Sequence, residues 1–184
     1  MIQLDSAPAD SSIHLDNGFI YTSNREIYWG KNEYRFDPPS GIFVDCDDKI
    51  YIADTFNQRI VRMDNLKGKN WSTLSLSRSE ERSVWPVDLV LDSRGRLYIL
   101  DGGRSRIVRV NDLTGKGWME FGSEGFGNRQ FYHPSAITVD SSNRIYIADT
   151  GNRRVVRIDD LSGKGWITSG EVPVHEIRFL SMNE

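Results

Sequence analysis

Short runs rich in apolar residues alternate with polar turn segments along most of the chain. Between Pro134 and Trp166 the apolar runs are SAITVD, RIYIAD and RVVRID, the polar segments are DSSN, TGN and DLSGKG, and a fourth run starts at Trp166. Runs of this length that are rich in Val, Ile and Tyr favour strands over helices. Both faces of IYIA and RVVRI carry apolar side chains, which is typical of a small sheet packed between two neighbours. The pattern predicts four short antiparallel strands in this stretch.

The same four-strand pattern occurs three times. A proline begins each copy and a tryptophan begins its fourth run: Pro39, Pro86 and Pro134, and Trp71, Trp118 and Trp166. Both sets of anchors give spacings of 47 and then 48 residues. Four strands per period of this length predict an all-β fold, a β-propeller in which each copy forms one four-stranded antiparallel blade.

The two ends of the chain supply parts of a further copy. We expect a flexible lead-in at residues 1–12 and a single propeller domain at 13–184, with a partial copy at 13–36, full copies at 37–82, 83–130 and 131–172, and a closing strand at 173–184. Asp16-Asn17-Gly18 predicts a hairpin turn in the partial copy. Pro173 restarts the phrase that opens each copy. At about four blades per chain, two closures stay open: one chain closes its last blade with both termini, or two chains share a larger ring as a homodimer.

The most regular copy resembles the NHL repeat. The residues that match the pattern of that family are Gly125, Gly127, Phe131, Pro134, Ile137, Val139, Asp140, Ala148, Asp149, Asn152, Arg154 and Val155. The first copy matches through Phe36, Pro39, Ile42, Val44, Asp45, Ala53, Asp54, Asn57, Arg59 and Ile60. The second departs from the pattern at Ser83, Leu100 and Arg104. The resemblance implies a propeller and commonly a binding or scaffold role, although one fold can host unrelated activities.

Composition narrows the class of protein only a little. The 184 residues are 38% hydrophobic and 27% charged, with a formal net charge of −3 and a mean hydropathy of −0.49. We expect a soluble cytoplasmic protein, because no run approaches the length of a membrane span and the N-terminus lacks the features of a secretory signal. The single cysteine, Cys46, excludes an intrachain disulfide. No motif calls for a cofactor.

An Asp ends the second strand of each copy and an Arg begins the third, with an Asn between them in two copies. These residues are Asp54, Asn57, Arg59, Asp101, Arg106, Asp149, Asn152 and Arg154. A catalytic group is needed once per site, whereas this set recurs in every copy. We therefore expect no catalytic residue here, but Asp and Asn side chains that bond the turn between strands two and three, and Arg side chains that bridge blades.

Three other sets of residues invite a chemical role. Lys69, Lys116 and Lys164 follow glycine, but the Ser or Thr of a phosphate-binding loop does not follow them. We interpret these segments as hairpin tips, with the adjacent Trp packed on the next blade. Asp45, Asp47 and Asp48 crowd one turn and are a weak candidate for a metal site. The three histidines, His14, His133 and His175, have no Cys or His partner at ligand spacing.

The copies differ most in the loops that a propeller gathers on one face, namely those leading into the inner strands and those between strands two and three. Loops held by a rigid scaffold commonly carry function, and aromatic and Arg side chains supply much of the binding energy at interfaces. The candidate partner-binding residues, which define the loop face, are Phe56, Trp85, Arg104, Arg129, Tyr132, His133 and Arg153. Other charged residues expected there are Lys31, Arg35, Arg78 and Arg82, with Glu33, Glu80, Glu81 and Glu124 reducing the positive charge.

Three functions follow as hypotheses. The first is a non-catalytic binding or scaffold module that presents the loop face to a protein or peptide, with no membrane involved. The second is a propeller hydrolase or lyase with a metal in the central channel, as in distant propeller relatives. The third is single-stranded RNA bound on the loop face through Arg and aromatic stacking.

Overall fold

The structure, a computed structural model, describes residues 14–16, 19–21, 35–77 and 84–170. The chain divides into two compact units, residues 1–35 and 36–184. In the first unit, β1 (His14–Asp16) and β2 (Phe19–Tyr21) pair antiparallel, with Asp16 opposite Phe19. The predicted hairpin is therefore confirmed. The lead-in at 1–12 and the closing strand at 173–184 lie outside the described residues.

The second unit contains three sheets of four antiparallel strands. The first blade is formed by β3 (Pro39–Val44), β4 (Ile50–Asp54), β5 (Arg59–Met63) and β6 (Ser72–Ser75). The second is formed by β7 (Pro86–Leu91), β8 (Leu97–Asp101), β9 (Arg106–Val110) and β10 (Met119–Phe121). A short parallel pair, β11 (Ser123–Glu124) and β12 (Gln130–Phe131), precedes the third blade. The third blade is formed by β13 (Ala136–Val139), β14 (Ile145–Asp149), β15 (Arg154–Ile158) and β16 (Ile167–Ser169). The predicted fold of four-stranded antiparallel blades is confirmed.

The strands follow one another across each sheet, so that each pairs with the next in sequence. Register is the same in the three blades: Ala53 lies opposite Ile60, Leu100 opposite Ile107, and Ala148 opposite Val155. The second blade has neighbours on both faces, and every residue of β8 is buried. This burial on both faces explains why the apolar residues of these strands do not alternate strictly with polar ones.

The core lies between successive blades. Ile60 of the first blade packs in one cluster with Leu89 and Val108 of the second. Ile107, on the opposite face of the second blade, packs with Ile147 of the third. Each fully buried aliphatic side chain of this size contributes about 1.5–3 kcal/mol, so these two seams supply much of the stability of the three-blade stack.

Aspartates also fix the turns between the first and second strands. In each of these turns one Asp Oδ1 accepts the backbone N–H groups two and four residues ahead; the three residues are Asp45, Asp92 and Asp140. The turn residue before the last of these donors has a positive φ, as Asp48, Gly95 and Asn143 show. Among the described residues no helix is long and apolar enough to cross a membrane.

Candidate partner-binding loop face

A fully buried Asp at the end of each second strand holds the loop that enters the same blade. In the first blade the backbone N–H of Asp37 donates to Oδ1 of Asp54 at 2.8 Å. In the second blade the N–H of Trp85 donates to Asp101 at 3.1 Å, and in the third the N–H of Tyr132 donates to Asp149 at 2.7 Å. Two of the candidate residues, Trp85 and Tyr132, are thus fixed through their own backbone. A carboxylate that accepts a backbone N–H makes a stronger bond than a neutral acceptor.

The other oxygen of each Asp faces the Arg that begins the third strand. Nε of Arg59, Arg106 and Arg154 donates to it at 2.7, 2.9 and 2.8 Å, and Asn57 and Asn152 donate to the same oxygen in their blades. The predicted structural role of this set is confirmed. Two details differ from the prediction. The Asp accepts a backbone N–H of the entering loop and bonds its own turn only through the Asn side chain, in two blades, and the Arg pairs with the Asp of its own blade.

In the third blade the Arg also organises the longer loop before β13. Nη2 of Arg154 donates to the carbonyls of Gly127 and Gln130, both at 2.9 Å. Asn152 donates to the carbonyl of Gly125 at 3.0 Å, and the side chain of Gln130 accepts the N–H of Gly127 at 3.0 Å. Gly125 has φ 150°, a conformation that favours glycine. The loop is therefore held internally at several points.

The first aromatic group on the loop face is the pair Phe56 and Trp85. Their rings meet edge to face, with centroids 5.5 Å apart, and both side chains are exposed. The carbonyl of Trp85 accepts the N–H of Gly102 at 3.0 Å. A Cβ at Gly103 would lie 3.0 Å from Cδ1 of the indole, so glycine at this position gives the Trp85 ring its space.

The second aromatic group combines Phe126, Tyr132 and His133. The ring centroids of Phe126 and Tyr132 are 5.1 Å apart, and those of Tyr132 and His133 are 4.4 Å apart. Phe126 is 72% exposed. The carbonyl of Tyr132 accepts the N–H of Gly151 at 2.8 Å. A Cβ at Gly151 would overlap that carbonyl, so this group depends on a close approach of two backbones.

The arginines of the predicted loop face do not all stay there. Arg153 is exposed at φ 55°, at the end of a short 3-10 turn (Thr150–Asn152) whose Gly151 N–H donates to the carbonyl of Tyr132. Arg104 is half-buried in the equivalent turn of the second blade. The placement of Arg129 was wrong: its guanidinium carbon lies 5.2 Å from the centroid of Phe121 and packs against Gly163, in the hairpin at the opposite end of the strands. Lys31, Arg78 and Arg82 lie outside the described residues.

Phe126 was missed by the sequence reasoning. It lies between Gly125 and Gly127, which the resemblance explains as part of the repeat pattern, and the side chain between them received no role. A large apolar residue between two glycines in a loop was the available signal. The carbonyl of Phe126 accepts a hydrogen bond from Nη1 of Arg154 at 3.3 Å, within the hydrogen-bonded loop.

The weak metal hypothesis is not supported. Oδ1 of Asp45 accepts the N–H groups of Asp47 and Lys49, both at 2.9 Å, and so closes the turn. Within the described ranges no three His, Cys, Asp or Glu side chains lie close enough together to hold a metal ion. His133 contacts Tyr132, and the side chains of His14 and His175 lie outside the description.

The lysine segments are hairpin tips, as predicted: the carbonyls of Lys69, Lys116 and Lys164 accept the N–H groups of Asp64, Asn111 and Asp159. The prediction that the adjacent Trp packs on the next blade was wrong. Trp71 packs on Phe36 and Trp166 on Phe131 and Phe121, which all precede them in the chain.

At these tips the Thr114 hydroxyl and N–H lower the pKa of Asp112, and the Ser162 hydroxyl and N–H lower that of Asp160.

Residues 131–158 match the family model of the NHL repeat. The chain carries an NHL repeat. The match contains the inner three strands of the third blade and both Tyr132 and His133, and it confirms the resemblance that the sequence indicates. No curated protein sequence matches the chain.

Solved β-propeller structures match this chain over most of its length. A catalytically inactive histidine-to-alanine variant of virginiamycin B lyase from Staphylococcus aureus, solved with quinupristin, is 18% identical (TM-score 0.58; 93% of this chain and 59% of that chain). The selenomethionine form of that lyase is 21% identical, with a TM-score of 0.54, and the match covers 73% of this chain and 41% of the lyase chain. A chain of a nidogen/laminin complex is 18% identical (TM-score 0.53; 84% and 59%). These identities show the β-propeller fold alone, and this chain spans about half the length of these proteins.

Proposed function

We propose that this chain is a non-catalytic binding module that presents its loop face to a protein or peptide. An NHL propeller fold supports a protein-interaction module in general. The observation that carries the proposal is the pair of aromatic groups, Phe56 with Trp85 and Phe126 with the half-buried Tyr132 and the exposed His133. In each group one residue, Trp85 or Tyr132, donates its backbone N–H to a buried Asp.

Exposed aromatic side chains on fixed backbone suit binding for two reasons. They offer a large apolar area with few rotatable bonds, so little conformational entropy is lost when a partner contacts them. The Asp bonds to the backbone of Trp85 and Tyr132 hold the backbone from which these rings project, which reduces the cost of ordering the loops on binding. Arg153, exposed at the end of the turn that bonds the carbonyl of Tyr132, favours a ligand that carries a carboxylate next to its apolar side chains.

The test is selection from a displayed library of random peptides, followed by affinity measurements with the enriched peptides. Trp85→Ala and Phe126→Ala each remove one exposed aromatic side chain, and we expect each to weaken binding by tenfold or more, about 1.4 kcal/mol. Leu66→Ala is the control, because Leu66 is also exposed but lies at a hairpin tip. Unchanged affinity in both aromatic variants would refute the proposal, and thermal melts show whether the variants remain folded.

The other two hypotheses have separate tests. Binding of an oligouridine that falls steeply with added salt would favour RNA as the ligand of the loop face. A stoichiometric metal in the purified protein would favour the enzyme. The likeness to virginiamycin B lyase shows the fold alone.

A further inference from the structure

An open cavity of about 450 Å³ lies at the seam between the second and third blades. It is at the end of the strands that carries the hairpin tips, opposite the loop face. Oδ1 of Asn143, in the turn between β13 and β14, accepts the N–H of Ser93, in the turn between β7 and β8, at 2.9 Å. This bond ties the two sides of the cavity together. The volume lies within the range of roughly 300–1,000 Å³ that small-molecule sites occupy.

Equivalent arginines on the third strands of the three blades differ in their partners. Each lies opposite the tyrosine of the neighbouring second strand. Nη2 of Arg62, in the first blade, lies 3.6 Å from Oδ1 of Asp64, and Nη2 of Arg157, in the third, lies 3.1 Å from Oδ1 of Asp159. The equivalent residue of the second blade is Arg109, which lines the cavity.

The second blade has Asn111 where the other two blades have that aspartate. The Asn111 side chain lies beside Gly117, since a Cβ at Gly117 would overlap it. Nη2 of Arg109 donates to the carbonyl of Gly117 at 3.4 Å, and no carboxylate of the described residues pairs with this guanidinium. Because asparagine is neutral, the positive charge of Arg109 at the cavity is not compensated.

A second uncompensated charge comes from Arg94. It is exposed and stands where the first blade has Asp47 and the third has Ser142, and its backbone N–H bonds the turn in the same way. Its guanidinium has no carboxylate partner within the part of the chain that the structure describes. Arg96 also lines the cavity, but it pairs with the buried Asp92 at 2.6 Å. Two arginines therefore give this seam a local positive charge that the repeat pattern does not require.

The third-blade side of the cavity is polar. Asp159 is engaged by Arg157 at 3.1 Å. Asp160 is exposed, and its Oδ1 accepts the N–H of Ser162 at 2.7 Å. A ligand anion is repelled by Asp160 toward the two arginines, whereas a ligand hydroxyl can donate to this carboxylate.

We propose that this cavity binds a small phosphate monoester that carries hydroxyl groups, such as a sugar phosphate. A phosphate monoester has about 1.5 to 2 negative charges at pH 7, which matches the two uncompensated guanidinium groups of Arg94 and Arg109 better than a single carboxylate does. Guanidinium groups bind phosphate oxygens through charge-assisted hydrogen bonds. The hydroxyl groups of the ligand lie toward Asp160. This site is separate from the loop face and does not depend on a protein or peptide partner there.

An NMR titration of the nitrogen-15-labelled full chain with glucose 6-phosphate at low ionic strength tests the proposal. We expect a dissociation constant of about 1 mM or lower, with shifts at the backbone amides of Ser93, Asn143 and Ser162 and none at Tyr132 on the loop face. Glucose should cause no comparable shifts, because it lacks the anion. Weaker binding than this, shifts confined to other residues, or equal shifts with glucose would overturn the proposal.

Three variants test the role of the two arginines. Arg109→Gln should weaken binding about tenfold, because it removes a charged hydrogen bond to phosphate. Asn111→Asp should weaken it by about threefold or more, because it gives Arg109 the carboxylate partner that the other blades have. Arg94→Gln should have an effect of similar size and, at an exposed position, leaves the packing intact.

Arg62→Gln is the matched control, because it removes the same charge from the equivalent position of the first blade. It should leave the affinity for glucose 6-phosphate unchanged. Full affinity in both Asn111→Asp and Arg94→Gln, or a loss in Arg62→Gln as large as theirs, would show that the two arginines at this seam do not hold the phosphate.

Discussion

The buried carboxylate of Asp149 provides a sharp test of how the loop face is held. The carboxylate accepts bonds from the N–H of Tyr132 at 2.7 Å, from Nε of Arg154 at 2.8 Å and from Asn152 at 2.7 Å. Its side chain is fully buried, and that of Arg154 is 3% exposed. Asp149→Asn keeps the shape but removes the charge and turns an amide group toward these donors.

The expected cost follows from that burial. Removing one partner of a buried ion pair costs about 3–5 kcal/mol, because the remaining charge stays buried without compensation. Asp159→Asn in the same blade is the matched control: Asp159 pairs with Arg157 at 3.1 Å, but both side chains are partly exposed. An exposed pair contributes roughly 0–1 kcal/mol.

Urea unfolding followed by tryptophan fluorescence measures both changes in the free energy of unfolding. We expect a large loss for Asp149→Asn and a small one for Asp159→Asn. Equal losses in the two variants, or a loss below about 1 kcal/mol for Asp149→Asn, would show that this carboxylate does not hold the loop face as we infer.

Two further predictions concern the turns. Gly151→Ala should lower the free energy of unfolding by about 1–3 kcal/mol, because its Cβ would overlap the carbonyl of Tyr132. Gly127→Ala is the control and should cost less in the same urea assay, because its Cβ meets only the flexible end of the Gln130 side chain. A larger loss of stability for Gly127→Ala than for Gly151→Ala would contradict this reasoning. The lowered pKa values of Asp112 and Asp160 mean that their contribution to stability is present above the unfolded value of about 3.9 and is lost as the pH falls through the folded pKa. The double variant Asp112→Asn and Asp160→Asn should therefore show a smaller difference in melting temperature between neutral and acidic pH than the wild type, and an unchanged difference would argue against these bonds.

The blades themselves could be predicted because their sequence signals are local and repeated. Runs such as IYIAD and RIVRM combine β-branched and aromatic residues with turn residues at both ends, and the fixed spacing of Pro and Trp shows that each run has equivalents elsewhere. The structural role of Asp54, Asp101 and Asp149 was also predictable, since a residue that recurs in every copy is more simply explained by the fold than by catalysis.

The identities of contact partners could not be predicted, because they depend on how loops lie across neighbouring strands. Arg129 follows two glycines in a loop whose path is set by bonds from Arg154, and nothing in the order of residues shows that its guanidinium lies over Phe121. Phe126 in the same loop is exposed. The direction in which Trp166 packs likewise depends on the position of Phe131, 35 residues earlier in the chain.

The hydrogen bond from each entering loop to a buried Asp has a consequence for protein engineering. The bond is made to a backbone N–H, which every residue except proline carries, so the anchor places no demand on the side chain at that position. The three anchored positions already differ, carrying a carboxylate at Asp37, an indole at Trp85 and a phenol at Tyr132. Combinatorial diversification of these positions would therefore change the chemistry displayed on the surface while retaining the bonds that hold it, as hypervariable loops do on an antibody framework.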